Sequence, residues 1–231
     1  MADNDMWTIK AALDWTIGFL ERKGDENSRL SAEWLMSEAT GLSRIELYVN
    51  FERPLTLDER ATLRDFVARR GKGEPLQLIS GKVPFRYITV LVAPNVLIPR
   101  PETEVLVSEA FAELKLPRVA DHVAAGENGE EVVSPELPEL RVVDLCTGSG
   151  CIACSIASEY PAAHVVALDI APEALALAGK NVEALGLGNR VEVLESDLLG
   201  ALDPGKKGTF DLIVSNPPYV PTKVCDSLPR E

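Results

Sequence analysis

The chain has 231 residues, 46% of them apolar, which is enough for a catalytic domain with a small accessory domain, and we expect two domains. Its net charge of -13 argues against a protein that grips a nucleic-acid backbone, because phosphate binding needs a local excess of Lys and Arg. Four cysteines are too few for a secreted disulfide framework, and no apolar run has the length of a signal peptide or a membrane span, so we expect a cytoplasmic protein with no membrane partner.

The N-terminal part of the chain has helical periodicity throughout. Apolar residues recur at helical spacing over residues 9–20 and again over residues 32–39. Cap signals follow the second stripe: the capping-box pairs Ser43 with Glu46 and Thr56 with Glu59, and the C-cap glycines Gly41 and Gly71. Residues 1–72 are therefore predicted to form a small helical bundle.

The periodicity then changes. A β-branched run at residues 87–92 is typical of a strand, so residues 73–100 are predicted to form a β-hairpin linker. Pro101 suits the first turn of a helix, and the apolar spacing over residues 107–114 predicts that this helix lies on a sheet. The acidic stretch 117–140, which is rich in Gly and Pro, is predicted to be a surface loop.

Strands and helices alternate in the remainder of the chain. Apolar strands are predicted at residues 142–146, 165–169, 191–194 and 210–215. Helical patterns that begin at residue 151 and cover residues 175–185 lie between them. Nearly continuous apolar strands separated by helices indicate a parallel sheet with both faces covered, so residues 101–231 are predicted to form a doubly wound α/β domain.

The loop from Asp144 to Gly150 leaves the first of these strands and enters a helix, where an open parallel sheet binds its ligand. Its glycines allow a tight turn, and the start of the helix presents unpaired N–H groups to a carboxylate or phosphate. Asp169 ends the next strand, where its carboxylate would accept hydrogen bonds from the ribose of an adenosine cofactor. Asp197 and Leu198 follow the third strand and are predicted to lie beside the adenine.

Other interpretations of the glycine loop remain open. Gly148, Gly150 and Ala153 satisfy the loose dinucleotide pattern, so NAD binding is an alternative. A glycine turn that serves only strand-to-helix packing is another. Taken singly, Asp169 is more typical of a solvated carboxylate at the end of a strand.

The cysteines suggest a different alternative. Cys146, Cys151 and Cys154 have the spacing of a plant-type iron-sulfur loop, with Cys225 as a distant fourth ligand. However, two of them fall three residues apart on a predicted helix, where cysteine commonly behaves as a small buried hydrophobe. No metal site is predicted, and the chain's two histidines form no constellation with other ligands.

The tetrapeptide Asn216, Pro217, Pro218, Tyr219 is the most specific signal in the chain. Consecutive prolines stiffen the backbone and remove two N–H donors, which leaves the carbonyls free as acceptors. An amide NH2 is a poor nucleophile because its lone pair is delocalised. If the Asn216 side-chain oxygen and the Pro217 carbonyl each accept one amide hydrogen, the nitrogen is held in plane and gains electron density. Tyr219 would stack on the planar group near the transferred positive charge.

These motifs resemble the HemK-type protein-(glutamine N5) methyltransferases, which modify peptide chain release factors. The resemblance covers nearly the whole chain and includes linker signatures at residues 73–75 and 98–104. It implies a helical substrate-recognition domain joined by a hairpin to a class I (Rossmann-like) methyltransferase domain that uses S-adenosylmethionine. The methyl acceptor would be the glutamine of a release factor's Gly-Gly-Gln motif. The implied cofactor contacts are Thr147, Gly148, Ser149, Gly150, Asp169, Leu198 and Asn216, and the implied substrate contacts are Asn216, Pro217, Pro218 and Tyr219.

Two alternatives to this function stay open. The same tetrapeptide occurs in enzymes that methylate adenine N6 or cytosine N4 in DNA, although these need a basic DNA-facing surface that an acidic chain does not suggest. The family's sheet also continues for three strands beyond this tetrapeptide, so we expect a truncated chain of reduced stability, with residues 210–215 as an exposed edge. An inactive fragment that only binds a release factor is the second alternative.

Overall fold

A computed structural model of the chain describes residues 7–116, 137–206 and 208–219, which belong to two compact units that divide between Gly81 and Lys82. The predicted domain limits of 1–72, 73–100 and 101–231 stay predictions, and most of the predicted 117–140 loop lies outside the described residues. None of the helices in the described ranges combines the length and apolar character needed to cross a bilayer.

Helices make up the first unit. Their bounds are α1 Ile9–Arg22, α2 Ser28–Thr40, α3 Arg44–Val49, α4 Leu57–Arg70 and α5 Leu76–Ser80. The capping boxes expected at Ser43 and Thr56 are confirmed, because each hydroxyl accepts the N–H of a glutamate three residues on and that glutamate bonds back to the cap. Apolar stripes of α1 and α2 meet in the core, which includes Ile9, Leu13, Leu20, Ala32, Leu35 and Met36.

The second unit contains a hairpin and a parallel sheet with helices. Its bounds are β1 Lys82–Phe85, β2 Ile88–Leu91, α6 Pro101–Glu113, β3 Leu140–Leu145, α7 Cys151–Glu159, β4 Ala163–Asp169, α8 Pro172–Ala184, β5 Val191–Glu195 and β6 Leu212–Ser215. Strands β3 to β6 are parallel and lie in the order β5, β4, β3, β6. The order reverses between β3 and β6, which confirms the predicted α/β class and places a ligand crevice at the carboxyl ends of the strands.

The last strand begins two residues later than predicted. At its start the Asp211 carboxylate accepts the Arg141 N–H at 2.8 Å, in place of a backbone carbonyl, so the regular ladder starts only at Leu212. Within the described residues β6 pairs with β3 on one side and is the edge of the sheet.

The hairpin β1–β2 belongs to the second unit and is fixed there by Asn181 of α8. The Leu91 N–H donates to Asn181 Oδ1 at 2.7 Å, and Asn181 Nδ2 donates to the Leu91 carbonyl at 3.1 Å. The same Nδ2 also donates to the Ser149 carbonyl at 2.8 Å. One buried amide therefore ties the hairpin, α8 and the loop after β3 to each other.

Candidate active site

A cavity of about 490 Å³ opens at the carboxyl ends of the parallel strands. Residues from five separate stretches of the chain line it, and all of them belong to the second unit. Of the residues predicted from the sequence, the wall includes Thr147, Gly148, Ser149, Asp169, Asp197, Leu198, Asn216, Pro217, Pro218 and Tyr219. The structure thus brings the predicted cofactor residues and the predicted substrate residues to one cavity.

Gly150 is the exception. It is the N-cap of α7 in the left-handed conformation, with φ 77°, and it does not line the cavity. A Cβ at this position would lie 3.1 Å from the Ala178 Cβ of α8, so glycine is needed for close packing between the loop and that helix. Its predicted cofactor contact stays a prediction that this geometry does not support.

The carboxyl group of Asp144, at the end of β3, anchors the glycine loop from inside. It is fully buried, and its Oδ2 accepts hydrogen bonds from the Thr147 hydroxyl at 2.6 Å and the Ala153 N–H at 3.1 Å. Its Oδ1 has no partner among the described residues, and burial raises the pKa of this carboxyl to about 6. Sequence reasoning identified Asp144 only as the start of the loop and missed this anchoring contact.

Asp169, at the end of β4, faces the cavity in a fixed orientation. Its Oδ2 accepts the Gly148 N–H at 2.9 Å, and its Oδ1 accepts the N–H groups of Ile170 at 2.8 Å and Ala171 at 3.0 Å. A carboxylate has about four acceptor positions, so roughly one remains on Oδ2 for a ligand hydroxyl. A ribose hydroxyl fits this position, while the second predicted ribose contact would have to displace a backbone donor.

The start of α7 provides a second group of polar contacts for a cofactor, beside the Asp169 carboxylate. Ala153 donates to Asp144, and the Cys154 N–H donates to the Gly150 carbonyl at 2.9 Å. The N–H groups of Cys151 and Ile152 donate to no backbone carbonyl of the described residues and have only the Cys151 sulfur as a partner; both residues line the cavity. Two N–H groups without an oxygen acceptor at a helix N-terminus suit a ligand carboxylate.

Asp197 and Leu198 form a turn after β5 that borders the cavity. Leu198 has a φ of 51°, and its carbonyl accepts the Ser196 hydroxyl at 2.7 Å, which fixes the turn. Both residues are exposed and present a carboxylate and an apolar side chain to the cavity. With Asp169, this wall is acidic, and within its described residues it has no Lys or Arg. A cofactor whose adenosine end carries no phosphate fits such a wall better than a dinucleotide with its pyrophosphate does.

The Asn-Pro-Pro-Tyr loop leaves the end of β6. The preceding Ser215 hydroxyl donates to the Leu145 carbonyl at 2.7 Å, which joins this loop to the start of the glycine loop. Asn216 is half-buried, and its Nδ2 donates to the Thr103 hydroxyl of α6 at 3.1 Å. The two prolines are exposed and the Tyr219 side chain is 83% exposed, so the predicted acceptor platform is open to an incoming substrate.

Sequence reasoning missed one wall of the cavity. It consists of the residues that follow the hairpin, Asn95, Val96, Leu97, Pro99 and Thr103. Val96 packs on the glycine loop, since its Cγ1 lies 3.9 Å from where a Cβ of Gly148 would be. The signature at residues 98–104 was the available signal, but it was interpreted only as a linker.

The cysteines behave as the buried apolar residues that the sequence analysis favoured. Cys151 and Cys154 are buried in α7, and burial raises the pKa of each thiol to about 12, which disfavours the thiolate that a metal or cluster needs. Cys225 lies outside the described residues. Across the described ranges, no group of three or more His, Cys, Asp or Glu side chains is placed to hold a metal ion.

Comparison with known proteins supports the same interpretation. Residues 11–81 match the family described as the PrmC N-terminal domain, and residues 127–227 match the methyltransferase small domain. The release factor glutamine methyltransferase of Geobacter sulfurreducens is 45% identical over 227 residues, which are 98% of this chain and 70% of that protein. Its namesake from Rhodopirellula baltica is 42% identical over 96% of this chain and 69% of its own length.

A third relative of the same name, from Chlorobaculum tepidum, is 38% identical over 100% of this chain and 74% of its own length. These identities confirm the resemblance drawn from the glycine loop and the Asn-Pro-Pro-Tyr tetrapeptide. The chain belongs to the release factor glutamine methyltransferase family, whose enzymes use S-adenosylmethionine.

Proposed function

We propose that this chain transfers a methyl group from S-adenosylmethionine to the side-chain amide nitrogen (N5) of a glutamine in the Gly-Gly-Gln motif of a peptide chain release factor. One observation carries the proposal: Asp169 and the glycine loop line the same cavity as residues 216–219. The release factor is a protein partner met in the cytoplasm, and no direct contact with nucleic acid or membrane is part of the proposal.

The cofactor's residues are assigned from the geometry of the cavity. The N–H groups of Cys151 and Ile152 at the start of α7 would bind its carboxylate, Asp169 a ribose hydroxyl, and Asp197 with Leu198 its adenine. Thr147, Gly148 and Ser149 would line its amino-acid portion, with Asn216 at the reacting end. When bound, S-adenosylmethionine supplies an electrophilic methyl group on a positively charged sulfur.

Asn216, Pro217 and Tyr219 are the proposed catalytic residues, and with Pro218 they form the substrate site. The Asn216 Oδ1 and the Pro217 carbonyl would each accept one hydrogen of the glutamine NH2, which keeps that group flat and raises the electron density on nitrogen. The amide nitrogen would take the methyl group with its lone pair, the bonding pair would remain on the donor's sulfur, and one amide hydrogen would be lost to solvent as a proton. Alignment of these atoms can contribute on the order of 7 to 11 kcal/mol, so no strong base is required.

The nature of the cavity wall favours a protein substrate over DNA. No Lys or Arg belongs to the wall as described, and the whole chain carries a net charge of -13. A DNA amino-methyltransferase would have to place several phosphates beside this opening, which the acidic wall repels. A gel-shift with duplex DNA separates the two functions, because we expect no shift at any salt concentration.

The decisive test is incubation with labelled S-adenosylmethionine and a release factor, followed by mass spectrometry of the Gly-Gly-Gln peptide. We expect one methyl group on the glutamine, and none when that glutamine is replaced by alanine. Methylation elsewhere on the release factor would contradict the proposal. Tight binding of the release factor without any turnover would instead identify an inactive binding protein.

Asn216→Ala provides the matching test on the enzyme. Loss of one acceptor of the substrate amide should cost roughly 3 kcal/mol of transition-state stabilisation, or about a hundredfold in turnover, by analogy with the loss of an oxyanion-hole donor. Single-turnover rates at saturating cofactor measure this directly. A rate within threefold of the wild type would remove Asn216 from the catalytic residues.

A further inference from the structure

Thr103 lies at the cavity wall, one turn into α6, and is buried. Its hydroxyl is the partner of the Asn216 Nδ2, at 3.1 Å, although 113 positions separate the two residues in the chain. No other side-chain hydrogen bond of Asn216 occurs within the described ranges. Thr103 therefore provides the side-chain contact that holds the Nδ2 end of the Asn216 carboxamide against α6.

The distinction matters because a carboxamide has two ends of nearly equal shape and opposite hydrogen-bonding character. A half-turn about the last side-chain bond would exchange Oδ1 and Nδ2. The NH2 of Asn216 would then face the NH2 of the substrate, and two donors would meet. A threonine hydroxyl can donate as well as accept, so it opposes this exchange when its own hydrogen is directed elsewhere, as to a carbonyl of the preceding turn. The hydrogen bond from Nδ2 then keeps Oδ1 on the side away from α6.

The helix that carries Thr103 is itself held in place. The Thr103 N–H donates to the Arg100 carbonyl at 3.0 Å, which closes the first turn of α6. The neighbouring Glu104 carbonyl accepts the Arg86 Nη1 at 2.9 Å, and the same guanidinium forms two bonds of 2.6 Å with the Glu159 carboxylate of α7. The first turn of α6, which carries Thr103, is thus fixed by backbone and ion-pair contacts that do not involve Asn216.

We propose that Thr103 is a positioning residue for methyl transfer: its hydroxyl holds the Asn216 amide with the oxygen toward the substrate nitrogen. Thr103 does not need to touch the substrate for this role. The inference rests on the proposed function, because the orientation of the Asn216 oxygen matters only if Asn216 binds the substrate amide.

The test compares Thr103→Val, which keeps the shape but removes the acceptor, with Thr103→Ser, which keeps the acceptor. We expect kcat for a release factor to fall roughly tenfold in Thr103→Val, as for the loss of one hydrogen bond, and to stay within about threefold of the wild type in Thr103→Ser. The KM for the release factor and the Kd for S-adenosylmethionine by calorimetry should change by less than about twofold. Ser108→Ala removes from the same helix a hydroxyl that contacts Arg86 and not Asn216, so it is the matched control for a loosened α6 and should keep the wild-type kcat.

A second measurement does not depend on turnover. The side-chain NH2 signals of Asn216 can be identified in 15N spectra by their absence from Asn216→Asp. We expect the two hydrogens to shift in Thr103→Val and to remain in place in Thr103→Ser. If the wild-type chain does not methylate a release factor, the proposed function fails while this measurement still tests the contact.

Three results would overturn the positioning role. The first is unchanged NH2 signals in Thr103→Val. The second is a wild-type kcat in that variant. The third is an equal loss of kcat in Thr103→Val, Thr103→Ser and Ser108→Ala, which would show that α6 supports the fold without orienting Asn216.

Discussion

At the scale of single residues, the Asp144 carboxyl is unusual because one of its oxygens is buried without a partner. Its pKa is about 6 in the folded chain, against 3.8 as the ordinary value, chiefly through burial. Between pH 3.8 and about pH 6, the Asp144 carboxyl therefore holds a proton in the folded state that it has lost in the unfolded state. This group's contribution to stability is therefore complete below pH 3.8 and is lost as the pH rises through 6, by about 3 kcal/mol in total.

Asp144→Asn isolates this titration from those of the other carboxyl groups. The variant cannot ionise at this position, so the unfolding free energy of the wild type minus that of the variant should fall by about 1.5 kcal/mol between pH 5 and pH 8. Urea denaturation at several pH values measures the difference. A difference that does not depend on pH would mean that the carboxyl stays in one charge state across this range.

Gly150 offers a second residue-scale prediction. In Gly150→Ala the new Cβ would lie 3.1 Å from the Ala178 Cβ, at a residue whose φ is 77°. In Gly186→Ala the residue has a similar φ of 67°, but the new Cβ would have no neighbour within 4 Å. We expect the first variant to lose about 1 to 3 kcal/mol more stability than the second, because only the first is overpacked. Urea denaturation of both variants gives this comparison, and equal losses would contradict the packing role of Gly150.

At the scale of elements, the Arg86–Glu159 pair joins the turn of the hairpin to the end of α7. The two side chains are 11% and 3% exposed, and their closest N–O distance is 2.6 Å. The Glu159 carboxylate also accepts the Ser155 hydroxyl at 2.6 Å. Such a pair adds little net stability over apolar residues, but removal of one partner leaves a buried charge.

Arg86→Ala should therefore destabilise the second unit by about 3 to 5 kcal/mol. Arg141→Ala is the matched control, since the Arg141–Glu139 pair has a distance of 3.1 Å but lies with half of each side chain in solvent. This control should cost less than about 1 kcal/mol. Urea unfolding curves distinguish the two cases, and similar costs would show that burial of the pair has no energetic role.

Local patterns were sufficient to predict the strands, the glycine loop and the Asn-Pro-Pro-Tyr loop, because each is specified by residues adjacent in the chain. Burial and turn chemistry fix these elements over a few positions. The wall that includes Thr103 was not predicted, because it depends on distant contacts. Asn181 bonds to Leu91 across 90 positions, and Arg86 bonds to Glu159 across 73. No periodicity in the chain encodes these pairings.

At the scale of the whole molecule, net charge and the edge of the sheet have opposite effects on association between chains. Strand β6 has no neighbour on its outer side within the described residues, and Ile213 on it is 53% exposed. An apolar edge strand promotes association between chains, which a net charge of -13 opposes until salt screens it.

Ile213→Lys should therefore raise the protein concentration at which association begins in high salt, without a loss of stability, because charged side chains block pairing at an edge. Val49→Lys is the matched control, since Val49 is 79% exposed but ends a helix in the first unit. Static light scattering at increasing salt compares the two variants. Equal effects would mean that general apolar exposure, and not the strand edge, controls association.

The cavity wall has a thermodynamic consequence of its own. Its five stretches of chain meet only when the second unit is folded, and none of its residues lies in the first unit. A molecule bound there behaves as a reversible cross-link, which by mass action stabilises the second unit by about 2.7 kcal/mol at a hundred times its dissociation constant. A rise in the concentration of the methyl donor would thus lower the fraction of chains in which the second unit is unfolded.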